Sequence, residues 1–306
     1  MNKPKQPIPL FKVYMNPSAK DAVCEVLDSG YIGQGPKVDK FEKQLGNYFG
    51  NKKVVTTNAG TSALHLALHL LKKPKPHWNE DVFQGVAWVS PNWPGIEDGD
   101  EGLAPPLTCT ASNWPIVANN LKIKWVDIDP TTLNMCLKDL ERKMTPKTKV
   151  IMGVHWGGYP LDLDEIRNIR ARFRKENDWA PALIEDGAHS IGTKYKGKYL
   201  GNHGNFVMNS LQAIKHITSV DGGILYCPHE ELYERAKLLR WYGIDRNPKG
   251  RTDFRCEADI EEWGFKFHMN DVCAAVGMEN FKSIDVIIAK HKENALYYDL
   301  RLQNVN

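Results

Sequence analysis

Apolar and polar positions follow two alternating rhythms between about residues 54 and 227. Short runs of β-branched and other apolar residues at 53–57, 123–128, 150–155, 182–185, 205–208 and 223–226 have the length and content of strands. Apolar residues recur every three or four positions at 36–49, 62–71, 163–176 and 230–241, which predicts helices with one buried face. Strands alternating with helices predict an α/β fold with a largely parallel sheet. Residues 72–104 follow neither rhythm and are rich in Pro, Gly and Trp. They read as a long excursion, a packed surface loop held by Trp78, Trp88 and Trp93, with a lid over a substrate as the alternative.

Composition narrows the function classes. At ~150 residues per domain, 306 residues suggest about two domains. Lys and Arg number 40 against 37 Asp and Glu, a net charge of +3, so no field argues for nucleic acid or an anionic membrane as partner. No stretch approaches the ~20 apolar residues of a membrane span, and residues 1–14 show no secretory pattern, so a cytoplasmic protein is expected. Six widely spaced cysteines without a C-x-x-C pair read as reduced thiols. His65 and His69 stand four apart on a predicted helix but lack a third ligand, so no metal site is expected. The spacing of Gly30, Gly33 and Gly35 is not that of a dinucleotide-binding turn.

Three constellations could carry chemistry. Thr57-Asn58-Ala59-Gly60-Thr61-Ser62 leads a strand through Gly into a helix, whose free N–H groups and hydroxyls suit a phosphate. Taken alone, it reads more readily as an ordinary capped helix start. In Leu183-Ile184-Glu185-Asp186-Gly187-Ala188-His189 an apolar strand delivers two carboxylates and then a histidine. Asp186 at that strand end could pair with a cationic ring nitrogen, or cap a following helix. Ser210-Leu211-Gln212-Ala213-Ile214-Lys215 places a lysine among small and apolar residues, where an amine becomes nucleophilic, although most lysines are simply solvated. Phosphate cradle, strand-end Asp and then Lys is the order of a pyridoxal phosphate (PLP) enzyme.

From about residue 29 to residue 277 the chain resembles the DegT/StrS family of PLP-dependent nucleotide-sugar aminotransferases. These are fold-type I members of the aspartate aminotransferase superfamily, with a three-layer α/β/α architecture. The resemblance implies that Lys215 is the Schiff-base lysine and proton shuttle, Asp186 the partner of the pyridine nitrogen, and His189 a contact of the cofactor's phenolic oxygen. Gly60, Thr61, Ser62 and Ser210 would hold the phosphate, and Tyr31 and Ile32 would stand on the sugar-side loop. The segments 154–160 and 241–246 also match, without an assigned role. Cys109 falls where an aromatic ring usually stacks on the pyridine; it can pack there as a small polarizable hydrophobe. In Gly264-Phe265-Lys266-Phe267-His268-Met269-Asn270, Lys266 replaces a common Asn and His268 a common Arg. Relatives reach the neighbouring subunit's phosphate with this segment, so Lys266 is a cofactor contact in a homodimer or else a surface lysine.

The implied activity moves an amino group from an amino acid, glutamate first, to a nucleotide-linked keto sugar, most plausibly a 4-keto-6-deoxyhexose, for glycan or lipopolysaccharide biosynthesis. The alternatives are a sugar dehydratase of the same family, in which His replaces the Schiff-base lysine, and a non-catalytic cofactor- or sugar-binding regulator. The resemblance further implies a large PLP-binding domain at 1–250 and, at 251–306, the start of a curtailed C-terminal domain.

Overall fold

The computed structural model describes residues 9–73, 92–246 and 260–303. Trp78, Trp88, Cys256 and the expected domain boundary near residue 250 lie outside these residues. In chain order the elements are α1 (Ala19–Ser29), α2 (Pro36–Phe49), β1 (Val54–Thr57), α3 (Gly60–Leu70), β2 (Glu101–Ala104), α4 (Thr110–Ala118), β3 (Lys122–Trp125), α5 (Leu137–Lys143), β4 (Thr148–Val154), α6 (Leu163–Asn177), β5 (Ala182–Asp186), β6 (Lys194–Tyr195), β7 (Lys198–Tyr199), β8 (Phe206–Ser210), β9 (Gly223–Tyr226), α7 (Glu230–Leu239), α8 (Asp271–Phe281) and α9 (Ile284–Leu302).

Seven strands form one sheet in the order β1-β9-β8-β5-β4-β2-β3, and β6 and β7 form a separate hairpin. The pairs β2–β3, β2–β4, β4–β5 and β5–β8 are parallel, whereas β9 runs antiparallel to both β1 and β8. The α/β fold-type I architecture expected from the sequence is therefore present. One element differs: the excursion expected to reach residue 104 ends earlier, because Glu101–Ala104 is an interior strand paired on both sides. Glu-Gly-Leu-Ala carries little strand propensity. Gly102 is needed there because a Cβ would stand 2.9 Å from the Ile116 side chain of α4. Trp93 behaves as expected of a packed loop, buried with its indole N–H donating to the Leu71 carbonyl at 3.2 Å.

Strand alternation sorts the core into two halves. Val55, Ile184, Met208 and Leu225 pack with α3, α4 and α7 on one face, while Val54, Leu183, Val207 and Ile224 pack with α2, α6 and α8 on the other. These are the two outer layers of an α/β/α sandwich. Helix α3 is apolar nearly all round, with Leu64, Leu66, Leu68 and Leu70 fully buried, as a helix enclosed by a sheet and two neighbouring helices must be.

The same alternation places the chemistry. Thr57 and Ser210 both stand opposite Gly223 in the ladder, and Asp186 pairs with Met208 in register. Counting by two from the core residues puts Thr57, Gly223, Ser210 and Asp186 on the α3/α4 face, at the carboxyl ends of the parallel strands.

Candidate active site

The first and third constellations meet at Gly60. A Cβ on this residue would lie 3.0 Å from Met208 Sδ and 3.3 Å from Ser210 Cβ, so the start of α3 sits tightly against the end of β8. No side chain caps α3, and its first intrahelical bond from the N-terminal turn runs from Ala63 N–H to the Ala59 carbonyl. The uncapped first turn of α3, which holds Gly60, Thr61 and Ser62, therefore lies against Ser210 at the end of β8. Capping, the ordinary explanation of Gly-Thr-Ser, does not account for this helix start. The neighbouring Gly223 is as constrained, since a Cβ there would stand 2.5 Å from the Ala59 carbonyl oxygen.

The second constellation divides across the sheet. Glu185 points to the α2/α6/α8 side and is fully buried, with His155 Nε2 at 2.8 Å and Asn205 Nδ2 at 2.7 Å. His155 Nδ1 accepts the Leu161 N–H at 3.1 Å, which leaves Nε2 as the donor to Glu185. This buried trio supports β5 from behind. Asp186 points the other way, into the site. No helix follows β5, so Asp186 caps none; instead its Oδ1 accepts the Ala188 N–H at 2.9 Å. Its Oδ2 accepts from the buried Ser112 hydroxyl of α4 at 2.5 Å, and Ser112 Oγ is in turn 2.6 Å from Thr108 Oγ1. Gly187 lets the turn close, with Asn209 Nδ2 on its carbonyl at 2.6 Å.

His189 and Lys215 complete the cluster. His189 is half-buried with its ring edge-to-face against Trp156, centroids 5.3 Å apart. Burial, reinforced by the Lys215 cation, pushes its imidazole below the ordinary value, and Asp186 opposes them. His189 is thus held near both the strand-end acid and the lysine. Lys215 lies in the turn after β8, its backbone N–H on the Gln212 carbonyl at 2.9 Å. The next residue, His216, packs on His291 of α9 at 4.5 Å; burial, then the charges of His291, His189 and Lys215, lowers it to about 4.

The remaining predicted residues stand farther out. Cys109 is the residue before α4, exposed, with its carbonyl accepting the Ser112 N–H at 3.0 Å. Tyr31 and Ile32 are exposed on the turn after α1. That turn is fastened by the buried Asp271 of α8, whose N–H bonds the Gly33 carbonyl and whose carboxylate accepts the N–H groups of Gly35, Lys37 and Val38 at 2.8–3.0 Å. Lys266 is exposed with Nζ 3.9 Å from the Trp241 ring centroid. Its carbonyl accepts from Asn58 Nδ2 at 3.2 Å, and Thr57 bridges His268, so this segment borders the cradle at the start of α3. His65 packs edge-on against Phe265 and Phe267 and His69 contacts Glu262, so both serve to seat this segment. A cleft of about 900 Å³ between α2 and α7, lined by Asp39, Glu42 and Arg240, is touched by none of the predicted site residues.

Sequence reasoning missed Thr108, Ser112, Trp156 and Asp271 as neighbours of the site, since no spacing in the chain marks a lone hydroxyl as the partner of a carboxylate 74 positions away. The residues present fit PLP: an uncapped helix start opened by Gly60 for the phosphate, a buried carboxylate at a strand end for the ring nitrogen, and a lysine in the turn after β8 whose charge acts on His189.

Comparison with known proteins agrees. The UDP-4-amino-4-deoxy-L-arabinose–oxoglutarate aminotransferase of Shewanella sediminis is 31% identical over 296 residues, which cover 95% of this chain and 68% of that protein. The crystal structure of AtS13 from Actinomadura melliaura superposes with a TM-score of 0.86 at 46% identity, covering 98% of this chain and 74% of that one. The sugar aminotransferase CalS13 from Micromonospora echinospora gives 0.86 at 39% identity with the same coverage. The E. coli GDP-4-keto-6-deoxy-D-mannose-3-dehydratase, solved with bound hydrated PLP, gives 0.82 at 26% identity, covering 97% and 73%. PLP is accordingly the cofactor of this fold and site. The profile of the DegT/DnrJ/EryC1/StrS aminotransferase family matches residues 14–77 and 89–306, and the chain belongs to that family.

Proposed function

We propose that the protein is a PLP-dependent aminotransferase that moves an amino group from an amino acid, glutamate first, to a nucleotide-linked keto sugar, a 4-keto-6-deoxyhexose, in glycan or lipopolysaccharide synthesis. The observation that carries this reading is the presence of Lys215, rather than histidine, in the turn after β8, where it and Asp186 both interact electrostatically with His189. When bound, PLP supplies an electron sink that acidifies the amino-acid Cα. The chain's own groups do the rest. Gly60, Thr61, Ser62 and Ser210 bind the phosphate through N–H groups and hydroxyls at the positive end of α3. Asp186 holds the ring nitrogen protonated, and His189 donates toward the phenolic oxygen. Lys215 Nζ would accept the proton of the donor Cα and supply one in return, and the same group would serve the amination of the sugar ketone.

In this reading Cys109 lies over the ring face, Tyr31 and Ile32 meet the sugar side, and Lys266 reaches the phosphate site of a second copy, so the working form is a cytoplasmic homodimer. The division into a PLP-binding part at 1–250 and a second domain beginning at 251 belongs to the same proposal. A dehydratase reading draws on the likeness to the E. coli enzyme. The test mixes PLP-loaded protein with glutamate and follows absorbance, then adds a panel of nucleotide-linked keto sugars and weighs the products. Transamination predicts conversion to the amine form of the cofactor and a product with C=O replaced by CH–NH₂. A deoxygenated, unaminated sugar would favour the dehydratase. Replacing Lys215 with Ala is expected to abolish both signals, and full activity in that variant would overturn the site assignment.

A further inference from the structure

We propose that Thr108 and Ser112 form a one-way hydroxyl relay that donates to Asp186 and fixes the aim of its carboxylate, making Ser112 a positioning residue for the contact between Asp186 and the cofactor's ring nitrogen. The inference rests on the PLP reading above. Ser112 is fully buried at the third position of α4, with Oγ 2.5 Å from Asp186 Oδ2 and 2.6 Å from Thr108 Oγ1. A serine has one proton to give, and an ionised carboxylate can only accept. The Ser112 proton therefore goes to Asp186, and Thr108 must donate to Ser112. Each bond polarises the next, so the pair acts as one stronger donor.

The Ala188 N–H serves the other oxygen at 2.9 Å, so each carboxylate oxygen has one donor from the protein and a lone pair left for the ring nitrogen. Ser112, in the first turn of α4, brings the positive end of a helix toward the carboxylate, and Thr108 precedes that helix. His189, in the turn after β5, interacts electrostatically with Asp186 and with Lys215 from the turn after β8.

The relay has a spectroscopic consequence. A cationic ring withdraws electrons from the nitrogen joined to Lys215 and acidifies it; a weaker hold by Asp186 makes that nitrogen more basic. The experiment titrates the absorbance of bound PLP against pH and measures PLP affinity in wild type, Ser112→Ala, Thr108→Val and Thr108→Ser. In Ser112→Ala the midpoint is expected to rise by about one pH unit and affinity to fall about ten-fold, as for loss of one hydrogen bond to a charged group. Thr108→Val, near-isosteric at a half-buried site, is expected to move the midpoint the same way by less, and Thr108→Ser to restore it. An unmoved midpoint in PLP-loaded Ser112→Ala, or Thr108→Val behaving as Thr108→Ser, overturns the relay alone. Should Ser112→Ala fail to fold, the Thr108 pair decides. Failure of wild type to bind PLP would overturn the functional reading with it.

Discussion

Removing the charge of Glu262 tests how the segment bearing Lys266 and His268 is seated. Glu262 is buried, and its carboxylate takes a two-pronged contact from the fully buried Arg235, Nε at 2.8 Å and Nη2 at 2.6 Å, with His69 Nε2 at 3.3 Å. Arg235 Nη1 bonds the Leu70 and Lys72 carbonyls at 2.7 and 3.2 Å, so one guanidinium ties the end of α3 to the 260–268 segment. Burial alone would raise the Glu262 carboxyl, but the hydrogen bonds and charges of Arg235 and His69 outweigh it and bring it from 4.5 down to about 2. At about 1.4 kcal/mol per pH unit this corresponds to roughly 3 kcal/mol, and solvent screening on its open side leaves about 2–3 kcal/mol. The folded value is the lower one, so this stabilisation is complete above about pH 4.5 and is lost as pH falls toward 2.

Glu262→Gln should therefore lower the melting temperature at pH 7 by roughly 5 °C, and the gap from wild type should narrow steadily below pH 4.5. The assay is thermal unfolding by circular dichroism from pH 7 to 3. A deficit under about 1 kcal/mol at pH 7, or a gap that does not narrow with acid, would refute the reasoning.

Two further outcomes follow from backbone accounting. Asp271→Ala leaves the N–H groups of Gly35, Lys37 and Val38 without their acceptor. Urea unfolding should show a loss of about 3 kcal/mol, with faster proteolysis at residues 30–35, and a loss below 1 kcal/mol would contradict this role. Gly187→Ala would put a Cβ 2.6 Å from Ser190 Oγ, 2.7 Å from Asn209 Nδ2 and 2.7 Å from the Met208 carbonyl oxygen. The carbonyl cannot yield as a flexible side chain does, so a cost of about 1–3 kcal/mol and weakened PLP binding are expected; unchanged PLP affinity by fluorescence titration would count against that placement of the turn.

Legibility in the sequence tracked how local the physics is. Helix α2 was predicted with its observed ends because its apolar stripe, Pro at the first turn and Gly just beyond the end are all local signals. Strand β9 was equally plain. Other elements were hidden: β2 because Glu-Gly-Leu-Ala becomes a strand only when β3 and β4 supply partners, and α4 because Pro115 lies inside it. Helix α8 shows little amphipathic pattern because it is wedged against α1 and α2.

By itself, then, the sequence determined the alternation of strands and helices, the order of cradle, acid and lysine, and hence the class of cofactor chemistry. Only the tertiary structure decided which of two adjacent carboxylates faces the site, since that depends on strand phase against two cores. It also decided that the start of α3 carries no side-chain cap, and that a serine 74 residues upstream supplies a donor to Asp186. Such facts depend on close packing of segments far apart in the chain, where a few tenths of an ångström at Gly60 or Gly223 separate contact from exclusion.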